Sequence, residues 1–184
     1  QPLAIAVMLA PLLLAVGSGT IGSYIPLYGM LFGLTEADAG AIITAVYASS
    51  ALLRAPAGRL ADRVDRRILL IGGVALSAVA VSLFSFFHGL SQFIVIGIVF
   101  GIGMGIAMPA GLVMAADFSS ASGRALIMAV PTCFFQVGLA VGPTAMGYIA
   151  QISSFETMFL ACAGSLAFGL LIMLGLMRAQ KVRQ

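Results

Sequence analysis

Long apolar runs separated by short polar breaks set the pattern of this chain. Six runs stand out, over about 3–31, 36–54, 67–87, 92–117, 124–151 and 155–177. As helices they have the length to cross a bilayer's hydrocarbon core, which takes about 20 apolar residues. The breaks carry helix-boundary chemistry. Thr35 precedes Glu36 and Asp38, an N-cap followed by acids that complement the helix dipole. Arg54, Pro56 and Gly58 are expected to end the second run. Ser153-x-x-Glu156 reads as a capping box opening the sixth. The first run has no charge but many breakers and hydroxyls, Gly17-Ser18-Gly19, Gly22-Ser23-Tyr24 and Pro26, as expected of a bent helix lining a cavity. The third is smooth Leu, Ile, Val and Phe and suits a lipid-facing place. In the fourth, Gly97, Gly101 and Gly105 fall four apart on one face where another backbone can come close, and Pro109 is expected to kink it.

Composition turns the pattern into a class. The 184 residues are 61% hydrophobic and 8% charged, against about a quarter charged in a soluble domain, so the chain cannot cover itself for water. It reads as an all-α integral membrane protein, one six-helix unit over 1–184. The net charge of +3 does not point to nucleic acid, because no basic face interleaved with aromatics is present. Cys133 and Cys162 lie in apolar runs and are expected as free, buried thiols, with no metal site. No basic n-region or cleavage site precedes the first run, so the start reads as a cut through a longer chain rather than a signal peptide. Gly101-x-Gly103-x-Gly105 is no nucleotide motif, since no strand precedes it and the spacing is wrong.

Charge then fixes orientation. With six spans, both chain ends and the second and fourth connections share one side. All nine Lys and Arg fall there: Arg54, Arg59, Arg63, Arg66, Arg67, Arg124, Arg178, Lys181 and Arg183. The other side has Glu36, Asp38, His88 and Glu156. The positive-inside rule makes the basic side, and both termini, cytoplasmic in a bacterial inner or plasma membrane. His88 reads as an exposed loop residue.

The densest patch of charge is Arg54 to Arg67, which holds seven of the chain's fifteen formal charges. Within it, Gly58-x-Leu60-Ala61-Asp62-Arg63-x-Asp65-Arg66-Arg67 resembles the signature loop between the second and third helices of a major facilitator superfamily half. Asp65 departs, standing where that family usually has glycine. The resemblance implies two inverted three-helix repeats forming one half of a twelve-helix bundle. The two halves of the sequence echo this, each a glycine-rich run, a run meeting a basic connection, then a smooth one. Gly138-x-x-x-Gly142-Pro143 is similar to the glycine-proline motif on the fifth helix of such halves, with Met146 where a further glycine is expected. It reads equally as a hinge or a packing seam. The fourth run lacks the embedded arginine usual in a first half, which favours the C-terminal half; the glycine-proline motif points the other way.

Enzyme chemistry has no footing. There is one His and no paired carboxylate, metal-ligand or nucleophile constellation at membrane depth. No cofactor is implied. A secondary transporter moving a small solute by alternating access needs only polar groups facing a path. The candidates are Gln136 first, then Ser23, Tyr24, Tyr28, Tyr47 and Thr132, with interhelical hydrogen bonding as the competing reading for each. Met104 and Met108 read as packing residues. No acid lies within a span, so any proton-coupling carboxylate is expected in a second half. Gly58, Asp62, Arg63, Arg66, Arg67, Asp117 and Arg124 are candidates for an inner-side gate, with simple topology-holding as the alternative. Partners are therefore a solute, the bilayer and a second six-helix half, in the same chain or as a dimer mate. A self-standing homodimeric transporter and a non-transporting scaffold or channel-like subunit stay open beside the leading reading.

Overall fold

A computed structural model describes residues 2–61, 64–117 and 124–181. Six helices account for nearly all of them: α1 Pro2–Met30, α2 Glu36–Ala61, α3 Arg66–Leu83, α4 Leu90–Asp117, α5 Arg124–Ile152 and α6 Phe155–Lys181. Five are long and apolar enough to cross a membrane by length and composition, and α2, with charge in its first and last turns, is the exception. It still lies lengthwise on α4, from Ile42 beside Gly97 to Leu53 beside Gly105, so it traverses the same depth.

The helix ends follow from local chemistry. Gly33, at φ +76°, closes α1; the Leu34 N–H donates to Gly29 O at 3.1 Å and the Gly33 N–H to Met30 O at 3.2 Å, a left-handed cap that glycine takes without Cβ penalty. At the head of α2 the Thr35 N–H donates to the Asp38 carboxylate at 2.8 Å, and the Asp38 N–H to Thr35 Oγ1 at 3.2 Å. Asp65 caps α3, its carboxylate accepting from the Arg67 N–H at 2.9 Å.

Two expected boundaries are corrected. Pro56 and Gly58 do not end α2, which continues to Ala61. Proline deprives the Leu52 carbonyl of its partner, but both residues are exposed near the charged end, where water can serve it. The cap of α6 is Ser154 rather than Ser153: the Thr157 N–H donates to Ser154 Oγ at 3.2 Å. Ser153 is committed to α5, its N–H bonding Ile149 O at 3.0 Å.

The packing is that of two interlocked triplets. α4 carries α2 and α3 of the first triplet, and α1 carries α5 and α6 of the second. α1 meets α4 and α3 meets α6 across the centre. Exchanging each helix for its counterpart three along leaves this scheme nearly unchanged, and an odd number of spans per triplet inverts the second relative to the first. α1 and α4 are the most enclosed helices, α5 the least. α3 and α6 back the central pair, while α2 and α5 flank it without substantial mutual contact.

Small residues make these contacts possible, since in lipid close backbone approach replaces the hydrophobic effect as the driving force. A methyl at Gly101 would overlap Ser49 Oγ and Val46 O of α2, and one at Gly105 would stand 2.7 Å from Ser50 O. One at Gly97 would stand 3.0 Å from the Val46 side chain. Gly73 of α3 and Gly103 of α4 approach reciprocally, each built Cβ 2.6 Å from the other's carbonyl oxygen. On the other flank a Cβ built at Gly138 would stand 2.5 Å from Leu12 O, and one at Gly142 2.7 Å from Val16 Cα. The core hydroxyls bond mostly to their own helices: Thr20 Oγ1 to Val16 O at 2.7 Å, Ser77 Oγ to Gly73 O at 2.9 Å.

Candidate functional site

α5 buries one narrow face and leaves the rest open. Pro131, Gly138, Gly142 and Met146 turn toward α1, whereas Thr132, Gln136, Ala140, Thr144 and Tyr148 are all exposed. These five are four residues apart in sequence, so they form one ridge along the helix. Gln151 extends it. On α2 the exposed side carries Gly40, Thr44, Tyr47, Ala51 and Ala55. Exposed α3 side chains, by contrast, are Ile68 and Val79, continued by Phe86 and Phe87 beyond its end. The helices flanking the central pair thus present hydroxyl, amide and small groups beside exposed apolar ones such as Leu52 and Val141, and the backing helix α3 presents hydrocarbon.

Of the sequence candidates, Gln136, Thr132, Ser23 and Tyr47 lie on exposed surface, Gln136 on the outward side of α5 rather than inside the bundle. Tyr24 is half-buried and tied across to α5, its hydroxyl donating to Pro143 O at 2.9 Å. That bond needs Gly147, where a side chain would collide with the Tyr24 hydroxyl. Tyr28 needs correction. It is wholly buried in an aromatic cluster, with ring centroids 5.1 Å from Phe32, 5.3 Å from Phe159, 5.6 Å from Phe155 and 5.8 Å from Phe93. Its hydroxyl has no partner at full hydrogen-bonding geometry, although the Glu156 carboxylate is close enough to act on it. It holds α1, α4 and α6 together at the end opposite the basic loop and is no surface group. Cys133 is likewise exposed, against expectation, while Cys162 is buried with its thiol 3.8 Å from Thr20 Oγ1. The exposure of Cys133 follows from the narrow contact face of α5, which an apolar sequence does not mark.

Sequence reasoning missed Thr144 and Gln151. The four-residue spacing from Thr132 through Gln136 was the available signal. With Tyr24, Leu27, Gly147, Tyr148, Ala150 and Phe155 they line a groove of about 590 Å³ between α1 and α5 at the end away from the basic loop. A second, small crevice of about 40 Å³ lies deeper, where Pro11, Met108, Gly111, Pro131 and Thr132 bring α1, α4 and α5 together.

At the basic end, Gly58 is half-buried with open space about it. Asp62 and Arg63 lie outside the described residues, as do the side chains of Asp117 and Arg124. Arg66 and Arg67 open α3, and Asp65 gives the departure from the family loop a structural reason: an aspartate caps the helix there.

With this geometry in hand, comparison with known proteins is informative. The profile of the Major Facilitator Superfamily matches residues 7–184. The Quinolone resistance protein NorA of Staphylococcus aureus is 27% identical over 163 residues, which is 88% of this chain and 42% of NorA. The Multidrug transporter protein MdtP of Bacillus subtilis (strain 168) is 26% identical over 118 residues, 64% of this chain and 22% of MdtP. An inward-open structure of the xylose transporter XylE from E. coli superposes with a TM-score of 0.71 at 19% identity, over 94% of this chain and 47% of XylE. The chain therefore spans less than half the length of the relatives it matches.

Proposed function

Because the chain belongs to the Major Facilitator Superfamily, we propose that it supplies one six-helix half of a secondary transporter that moves a drug-sized amphipathic solute by alternating access. It is an integral membrane protein; its basic end is read as cytoplasmic, following the one-sided Lys and Arg. The carrying observation is the exposed ridge Thr132, Gln136, Thr144, Tyr148 and Gln151 on an otherwise apolar helix. Exposed to acyl chains, an amide would cost several kcal/mol, on the order of an unmade hydrogen bond. Facing a second half across a path, it meets water and solute instead. The names of NorA and MdtP favour export of drug-like molecules over sugars. The absence of an arginine in α4 favours the C-terminal half.

Alternating access then asks the basic loop to make and break contacts. In this proposal Asp62 latches to the start of α5 or to Arg124, and Asp117 to Arg63 or Arg54, in the inward-closed state. The test is efflux of a fluorescent hydrophobic cation and of a fluoroquinolone from cells expressing the full-length protein. Gln136→Leu should slow efflux about tenfold, the effect of losing some 1.4 kcal/mol of binding. Unchanged efflux in both Gln136→Leu and Thr144→Val, at equal surface expression, would overturn the assignment of the ridge.

A further inference from the structure

α3 has 18 residues and α4 has 28. At 1.5 Å per residue these are about 27 Å and about 42 Å long. Both cross together, reciprocally packed at Gly73 and Gly103. At the end away from the basic loop α3 stops at Leu83; Phe84 still packs on Phe93, 5.4 Å between ring centroids, but the side of α4 that carries Ser91, Gln92 and Val95 is left exposed. The gap is a slot of about 360 Å³, lined by Leu83, Phe87, Ser91, Gln92, Val95 and Ile96. That is within the size range of sites that hold an organic ligand.

Its wall is hydrocarbon, and its mouth is not. Val95 and Phe87 are 58% and 41% exposed, and Val79, Phe86 and Ile98 add to the apolar surface that α3, α4 and the turn between them expose. This surface has none of the polar groups seen on α2 and α5, so the bilayer covers it. At the mouth, Gln92 is pinned: its Oε1 accepts the His88 N–H at 3.2 Å and the Gly89 N–H at 3.1 Å. Its NH2 has no acceptor among the described residues and is left to donate. Ser91 lies beside it, exposed.

We propose that this slot holds one acyl chain of a phospholipid, with the ester and phosphate oxygens accepting from the Gln92 amide and the Ser91 hydroxyl. A bilayer phospholipid has its chain at this depth and its oxygens at the helix ends, where Gln92 and Ser91 lie. The bound lipid fills the side of α4 that α3 and the turn after it leave exposed. The proposal rests on membrane integration alone, so it survives if the transport reading fails.

The experiment uses the full-length protein in mild detergent, incubated with palmitoyl-oleoyl phosphatidylglycerol and examined by native mass spectrometry. The wild type should retain a single phospholipid adduct through washing. Val95→Phe and Ser91→Phe each fill the slot and should lower the retained fraction at least about tenfold, equivalent to roughly 1.4 kcal/mol of binding. Val141→Phe, on the exposed side of α5, should leave it unchanged. Retention in both slot variants, or equal loss in Val141→Phe, would overturn the proposal. So would a dimer that Val95→Phe dissolves, since a second copy would then own the slot.

Discussion

Single atoms decide the tightest contacts. At Gly101 a Cβ has no room between Ser49 and Val46, whereas at Gly40 and Gly72 it would meet nothing within 4 Å. Gly101→Ala should therefore destabilise the bundle by about 1–3 kcal/mol, the usual cost of overpacking. Gly72→Ala should be neutral or stabilising by up to about 1 kcal/mol through helix propensity. Thermal unfolding in detergent separates them, and equal midpoints would contradict the seam. Tyr24→Phe removes one cross-helix hydrogen bond to Pro143 O and should cost about 1 kcal/mol by the same measurement. Ser50 Oγ, buried and without a partner in the same α2–α4 seam, is the reverse case, a hydroxyl whose removal in Ser50→Ala should cost little.

Among the helices, what could be read in advance depended on where chemistry was concentrated. The caps at Thr35 and Gly33 are local, and the residues that make them are neighbours in sequence. The end of α2 and the cap of α6 were misplaced because a proline or serine gives a choice of positions, which only the backbone bonds of the adjoining helix resolve. Facing was harder still. In a soluble helix the polar side announces water, but in α1 and α5 lipid and protein interior are equally apolar, so Tyr28 and Cys133 could not be sorted by composition. Asp65 offers a test at this scale. Asp65→Ala should loosen the first turn of α3 by about 1 kcal/mol, while Asp65→Asn keeps the cap and Asp65→Gly costs only a few tenths. Faster amide exchange at Arg67 in the alanine variant alone is the expected signature.

Taken whole, the molecule is two interlocked triplets with a basic end and an acidic end; the one-sided arginines already implied the two ends, and the family resemblance of the basic loop implied the triplets. The two flanks of α1 and α4 and the uncovered ridge of α5 were not implied, since they arise from which helix packs on which. Orientation remains the prediction with the widest reach. In a Cys133→Ser background, Glu36→Cys and Glu156→Cys should react with an impermeant maleimide on intact cells, and Arg59→Cys only after permeabilisation. The opposite pattern would turn the molecule over. The aromatic cluster around Tyr28 has its own consequence. The sequence has no tryptophan, and of its four tyrosines Tyr28 alone is fully buried. Held among the rings of Phe32, Phe93, Phe155 and Phe159, it is a built-in chiroptical probe. Near-ultraviolet dichroism of the unlabelled protein reports directly whether the non-basic end of the bundle is assembled, and fades there first if α6 lets go.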